Sequence, residues 1–350
     1  MARKREIETN GHHALQLLTH LAQRSHHISP LLILTHDYPD PDALASAWAL
    51  QLLAREFGIE SRIVYGGVIT RAENRAMMKL LKLPAHRLRA GELRRARHVA
   101  LVDTQPAFEN NPFPDNRRAT LVIDQHRPAE RTAADLALID TECGATCVIV
   151  AQALFLKQVA IPAPLATALA YGILSDTLDL YRVTRDDVIQ TYLRVLRRAD
   201  MRALAEIQNS QRSRRFFSTL GRGLQAANVC QRLIVTHLGP VSSPEDVAHV
   251  ADFLRTYERA DWSLATGRLR GSLCLSLRTE LQGSDASAIL RKVVDDPGRA
   301  GGHGGVAGGR ISTGRAPAEA DWRRHEKDVQ GRLAGALGLP ADAGFRRAFT

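Results

Sequence analysis

The sequence predicts an α/β protein: an N-terminal, mostly parallel sheet with helices on both faces, a helical linker, and a smaller C-terminal α/β domain. Three observations predict it. Short apolar runs alternate with helix-length segments over residues 1–190. Residues 191–225 are charged, helical in pattern and free of strand signals. Apolar runs and helical patterns then resume over residues 226–345.

In order, Leu31–Leu34 reads as a strand, and Asp42 to Phe57 as a helix stopped by Gly58. Ser61–Tyr65 is a strand, and Glu73–Leu83 a helix ended near Pro84. Val99–Val102 and Leu121–Ile123 are short strands, each followed at once by Asp. Ala145–Leu156 and Leu165–Leu174 are apolar helices. In the second part, strands are expected at Leu233–Thr236, Trp262–Thr266 and Leu273–Leu277, and helices near Pro244–Tyr257 and Ala286–Val294. The glycine-dense run from Ala300 to Arg310 reads as a functional loop rather than a linker, because His303 and apolar residues interrupt it.

The formal net charge is +10, with Arg outnumbering Lys. That favours anionic partners such as nucleotides or nucleic acid, although Arg- and Ala-rich composition alone produces the same balance. The charged start lacks the apolar core of a signal peptide, and the most apolar window carries Asp140 and Glu142, so no membrane partner is expected. The four cysteines are too few for a disulfide scaffold and read as buried thiols, consistent with a reducing cytoplasm. No Gly-x4-Gly-Lys-Ser/Thr motif is present.

The chemistry lies in acidic residues that follow apolar segments. The first strand leads into His36, Asp40 and Asp42, the next into Asp103, and the next into Asp124 and His126. An apolar helix carries Asp176. A lone Asp after a strand is more often a cap or turn former, and Asp42 could be only the cap of the helix it precedes. A parallel sheet, however, gathers its strand ends at one edge. Five carboxylates and two imidazoles there would be costly without cations. Hard oxygen donors with imidazoles suit Mn²⁺ or Mg²⁺, and so rich a set could hold two ions that activate a water for attack on phosphorus.

These segments carry a resemblance. THDYPDPDALAS resembles the first motif of the DHH phosphoesterase family, LVDT its second, VIDQH its third and GILSDT its fourth. SLRTE and GGHGGVAGG resemble the DHH-associated substrate domain. The resemblance runs from about Leu31 to Ile311 and is nearest to bacterial nano-RNases and 3′-phosphoadenosine 5′-phosphate phosphatases. It implies that His36, Asp40 and Asp176 hold one metal, that Asp42 holds a second, and that Asp103 bridges them. His126 would contact the phosphoryl group. Arg278, Gly301, Gly302, His303 and Gly304 would bind substrate. The family's third motif reads Asp-His-His, and its first His binds the second metal; here that position is Gln125, a weaker ligand.

The expected activity is metal-dependent hydrolysis of short single-stranded RNA or dinucleotides to nucleoside 5′-phosphates, extending to nucleotide phosphates such as 3′-phosphoadenosine 5′-phosphate. Two Mn²⁺ or Mg²⁺ ions are the expected cofactors, and a homodimer is left open. The alternative is a nucleotide- or nucleic-acid-binding protein of the same fold that has lost catalysis at Gln125.

Overall fold

In the computed structural model, residues 11–128, 132–281, 283–340 and 344–349 are described. The chain divides into two compact units, Met1–Gln211 and Arg212–Thr350.

The first unit runs α1 (His12–Ile28), β1 (Leu31–Thr35), α2 (Pro41–Arg55), β2 (Ser61–Tyr65), α3 (Ala72–Leu80), β3 (Ala85–Arg87), α4 (Glu92–Arg95), β4 (His98–Val102), β5 (Ala119–Asp124), β6 (Ala134–Ile139), α5 (Thr146–Leu156), α6 (Ala163–Thr177), α7 (Asp186–Leu196) and α8 (Met201–Gln208). Its six strands lie in the order β3-β2-β1-β4-β5-β6, every pair parallel. Every residue of β1 and β5 is buried. Strands covered on both faces read as continuous apolar runs, which is why these two were visible in the sequence. Ile33 and Ile123 pack into one core with Leu44, Leu50, Ile149 and Leu169, while Leu32, Leu34 and Val122 enter a second core with Phe113.

The order reverses between β1 and β4, which are neighbours in register from Leu31↔His98 to Thr35↔Val102. In such sheets ligands sit beyond the carboxyl ends of the strands at this switch point. The residues that leave β1 and β4 there are His36 and Asp103.

The second unit contains α9 (Arg214–Ala226), β7 (Asn228–Cys230), β8 (Leu233–Pro240), α10 (Pro244–Leu254), β9 (Trp262–Leu269), β10 (Ser272–Thr279), α11 (Ala286–Arg291), β11 (Ala300–His303), β12 (Val306–Ser312), α12 (Glu319–Ala336) and β13 (Arg346–Arg347). Its seven strands order as β11-β12-β10-β9-β8-β7-β13, and β8 pairs with β9 in parallel within an otherwise antiparallel sheet.

Two expectations change. The segment 191–225 is not a separate linker: Val195, Leu204 and Ile207 of α7 and α8 are buried in the first unit, whereas α9 belongs to the second, where Leu224 packs against a core containing Val250. Their apolar stripes are buried, so these helices are parts of domains. The glycine-dense run is a β-hairpin rather than a loop, with Gly301 opposite Gly308 and Gly302 opposite Ala307. A Cβ at Gly302, whose φ is +148°, would collide with the carbonyl of Val306, so the close strand approach requires glycine. Among the described residues no helix is long and apolar enough to cross a membrane.

Candidate metal centre

The helix after β1 is set by its first two residues. Asp40 caps α2, its Oδ1 accepting the Ala43 N–H at 2.9 Å, and Pro41 occupies the first turn. The cap is therefore Asp40, and Asp42 lies within the helix, wholly buried. Asp42 serves a different helix. Helix α5 begins at Thr146 without a side-chain cap of its own. The N–H groups of Thr146 and Cys147 instead donate to Asp42 Oδ2 at 2.7 Å and Oδ1 at 2.8 Å. The contact needs α2 and α6 to pack closely. Gly172 of α6 allows it, since a Cβ there would lie 2.7 Å from Cys147 Sγ and 3.1 Å from Asp42 Cα.

Asp103 is at the centre. It is 1% exposed and takes a left-handed backbone, φ +59°, directly after β4. A non-glycine residue held there is uncommon, and such strain clusters at functional sites. Its Oδ1 accepts the Thr146 hydroxyl at 2.7 Å. Its buried Oδ2 has no hydrogen-bond partner. The nearest cationic group is His36 Nε2 at 3.5 Å, which is also 3.7 Å from Asp40 Oδ2. His36 Nδ1 lies 2.8 Å from the Asp37 carbonyl, which can only accept, so Nδ1 carries a proton and Nε2 is the nitrogen turned toward the carboxylates.

Ligand atoms of His36, Asp40 and Asp103 lie within 4.8 Å of one another, as do those of Asp103, Asp124 and His126. An orphaned buried carboxylate oxygen beside an oriented imidazole and a third carboxylate fits a hard divalent cation. The electrostatics agree. Burial alone would push the His36 imidazole down, but Asp103 and Asp40 outweigh it and raise it well above its ordinary value. Burial, then the Asp103 and Asp40 charges, pushes the Asp42 carboxyl up. Burial, then Asp40, Asp42 and Asp103, does the same to Asp176. Positive charge is wanted here.

His126 Nδ1 is 2.8 Å from Asp124 Oδ1 and 3.8 Å from Asp103 Oδ1. Burial opposes its charge, yet the Asp124 hydrogen bond and the Asp103 charge raise it to about 9. Asp124 is wholly buried and also accepts Gln105 Nε2 at 2.7 Å. Gln125 lies opposite: its Nε2 donates to Asp176 Oδ2 at 2.5 Å and to Asp42 Oδ2 at 3.3 Å.

The predicted residues thus fall into two groups. His36, Asp40, Asp103 and His126 gather with Asp124, while Asp42, Gln125 and Asp176 are joined by hydrogen bonds. Thr146 and Gln105 were not anticipated, because nothing local marks a Thr or Gln that supports a ligand from another element. Of the substrate-binding set, Gly301 and Gly302 lie in β11 and Gly304 in the turn after it, all exposed; the side chain of His303 lies outside the described residues. Arg278 departs from expectation. It is 5% exposed, pairs with Asp252, and donates to the carbonyls of Leu277 and Ala307 at 3.0 and 3.2 Å. Its fork braces β10 against its neighbours instead of facing open solvent. A separate cavity of about 960 Å³, lined by Arg55, Arg62, Arg89, Arg95 and Arg97, lies by the start of β1 and takes no part in the centre.

The chain is similar to known proteins. Residues 30–173 match the family model described as DHH family, N-terminal domain. The chain is 31% identical over 303 residues, 86% of its length, to an uncharacterized protein of Methanocaldococcus jannaschii. It is 28% identical over 152 residues, 43% of its length, to a probable manganese-dependent inorganic pyrophosphatase of Enterococcus faecalis. It spans 62% and 49% of the lengths of these two relatives. The crystal structure of an exopolyphosphatase-related protein from Bacteroides fragilis shares the fold, with a TM-score of 0.70 over 92% of this chain and 98% of that one at 13% identity. Over residues 30–173 the chain is therefore similar to the N-terminal domain of the DHH family.

Proposed function

We propose that the protein is a divalent-metal-dependent phosphoric ester hydrolase acting on short oligoribonucleotides or dinucleotides, releasing nucleoside 5′-phosphates, and on small nucleotide phosphates such as 3′-phosphoadenosine 5′-phosphate. The observation that carries the metal-dependent reading is Asp103 Oδ2, buried without a hydrogen-bond partner beside His36 Nε2. His36, Asp40 and Asp103 would hold the ion, which when bound polarises a phosphoryl oxygen and acidifies water.

The protein's own groups supply the rest. The Asp37 carbonyl keeps a proton on His36 Nδ1. Thr146 holds Asp103 through Oδ1 and leaves Oδ2 open. His126, raised to about 9 and anchored to Asp124, stays protonated near neutral pH and offers positive charge to an anionic phosphoryl group. The nucleotide preference rests on the motifs of the second unit and on the chain's positive charge.

The test is turnover of a labelled RNA dinucleotide, with 3′-phosphoadenosine 5′-phosphate and inorganic pyrophosphate in parallel, under Mn²⁺, Mg²⁺ or chelator. Metal-dependent mononucleotide release is expected. Hydrolysis of pyrophosphate alone would move the substrate class to inorganic phosphoanhydrides, as in the relative named a pyrophosphatase. Binding of the dinucleotide without any turnover would mark a binding protein.

A further inference from the structure

The two halves of the acidic cluster differ in how their lone pairs are used. On one side, Asp103 Oδ2 has no hydrogen-bond partner and His36 Nε2 faces it at 3.5 Å. On the other, Asp42 accepts from Cys147 N at 2.8 Å and Ser46 Oγ at 3.4 Å on Oδ1, and from Thr146 N at 2.7 Å and Gln125 Nε2 at 3.3 Å on Oδ2. A carboxylate has about four acceptor positions, and these four donors fill them. Two of the donors are backbone N–H groups at the start of α5, which have no other intrahelical partner to turn to.

Gln125 closes the same side. Its amide carries two N–H bonds, and its contacts with Asp42 and Asp176 account for both. Turned over, the amide would place its oxygen against two carboxylate oxygens, a repulsive arrangement unless a cation lay between them. The two-ion expectation therefore fits the His36 side and does not fit the Gln125 side.

We propose that this centre holds a single divalent cation, on His36, Asp40 and Asp103, and that the Gln125 amide takes the place of a second ion by cross-linking Asp42 and Asp176. The proposal rests on the metal-dependent reading above and refines it. It also assigns Gln125 a role: a positioning residue that holds two carboxylates together without metal.

The test reads metal content and not activity. The full chain is stripped with chelator, equilibrated with Mn²⁺ and analysed for bound metal and by electron paramagnetic resonance. The wild type is expected to bind one ion per chain with the signal of an isolated Mn²⁺. Gln125→His restores an imidazole ligand and is expected to raise affinity for a second ion by at least about tenfold, giving an exchange-coupled pair. Gln125→Glu adds a carboxylate at the same place, should also demand a second ion, and decides the matter if the His variant misfolds. Two coupled ions in the wild type overturn the proposal while leaving the metal-dependent reading intact. No bound ion in the wild type overturns both. Folded His and Glu variants that each still bind one ion overturn the role given to Gln125.

Discussion

The Thr146 N–H donates to Asp42 Oδ2 at 2.7 Å, across 104 positions of sequence. With the Cys147 N–H on Oδ1, it makes one carboxylate of α2 the cap of α5. A residue that the motif alone assigns to a metal thus has a structural task that needs no metal.

Asp42→Asn tests that task. Asparagine offers one acceptor oxygen where the carboxylate offers two, so one of the two helix N–H groups is left buried and unpaired. The expected cost is roughly 1–3 kcal/mol. It should appear in urea unfolding with chelator present; equal stability of the metal-free wild type and variant would show that the cap contributes nothing.

Asp103→Asn should behave in the opposite way. Asparagine tolerates the left-handed backbone that Asp103 adopts at φ +59°, so the fold should survive. The variant removes the orphaned anionic oxygen, so metal-free thermal stability should hold or rise. Mn²⁺ affinity measured by calorimetry should fall by at least about tenfold, and dinucleotide turnover should be lost. Unchanged Mn²⁺ affinity would remove Asp103 from the ligand set.

Gly172→Ala probes the packing behind the site. The added methyl would lie 2.7 Å from Cys147 Sγ and 3.2 Å from the Pro41 carbonyl, forcing α6 away from the start of α2. Overpacking of this kind costs about 1–3 kcal/mol. Because Asp40 caps the start of α2, which the methyl would displace, metal affinity should weaken as well. A variant as stable as the wild type would show that the helices shift freely.

His237 gives the second unit a pH dependence. Burial pushes its imidazole below the ordinary value; Glu326 and the Gln330 hydrogen bond pull it up without prevailing, and Arg268 adds to the lowering. The folded state thus holds His237 neutral where the unfolded chain is already protonated. The stability from this residue is complete above the unfolded value of about 6.5 and is lost as pH falls through the folded value. The opening free energy of β8 amides, from hydrogen-exchange protection factors referred to the intrinsic rate at each pH, should fall from pH 7 toward pH 5, with a slope no steeper than about 1.4 kcal/mol per pH unit. His237→Gln should flatten it; an identical profile in the variant would assign the effect to other groups.

Much of the first unit was legible because its physics is local. Strands buried on both faces must be apolar throughout, so Leu31–Leu34 and Leu121–Ile123 stood out, and the parallel-sheet rule then brought His36 and Asp103 to one edge. Other elements were hidden. β6 alternates between buried and exposed positions, but its sequence, with Asp135 as its one polar residue, does not show the alternation. The hairpin of β11 and β12 is glycine-rich because its strands pack closely, and that composition resembles a loop.

The sequence by itself determined which residues could carry the chemistry: the His and Asp side chains at strand ends, and the exceptional Gln125. Only the tertiary structure decided how each is used. Asp40 and Asp42 are two positions apart and chemically identical, yet one caps its own helix while the other caps α5. The physical reason is that a carboxylate's role depends on which of its lone pairs are already taken. The donors that take them, at Thr146, Cys147 and Gln125, arrive from segments 83 to 105 positions away.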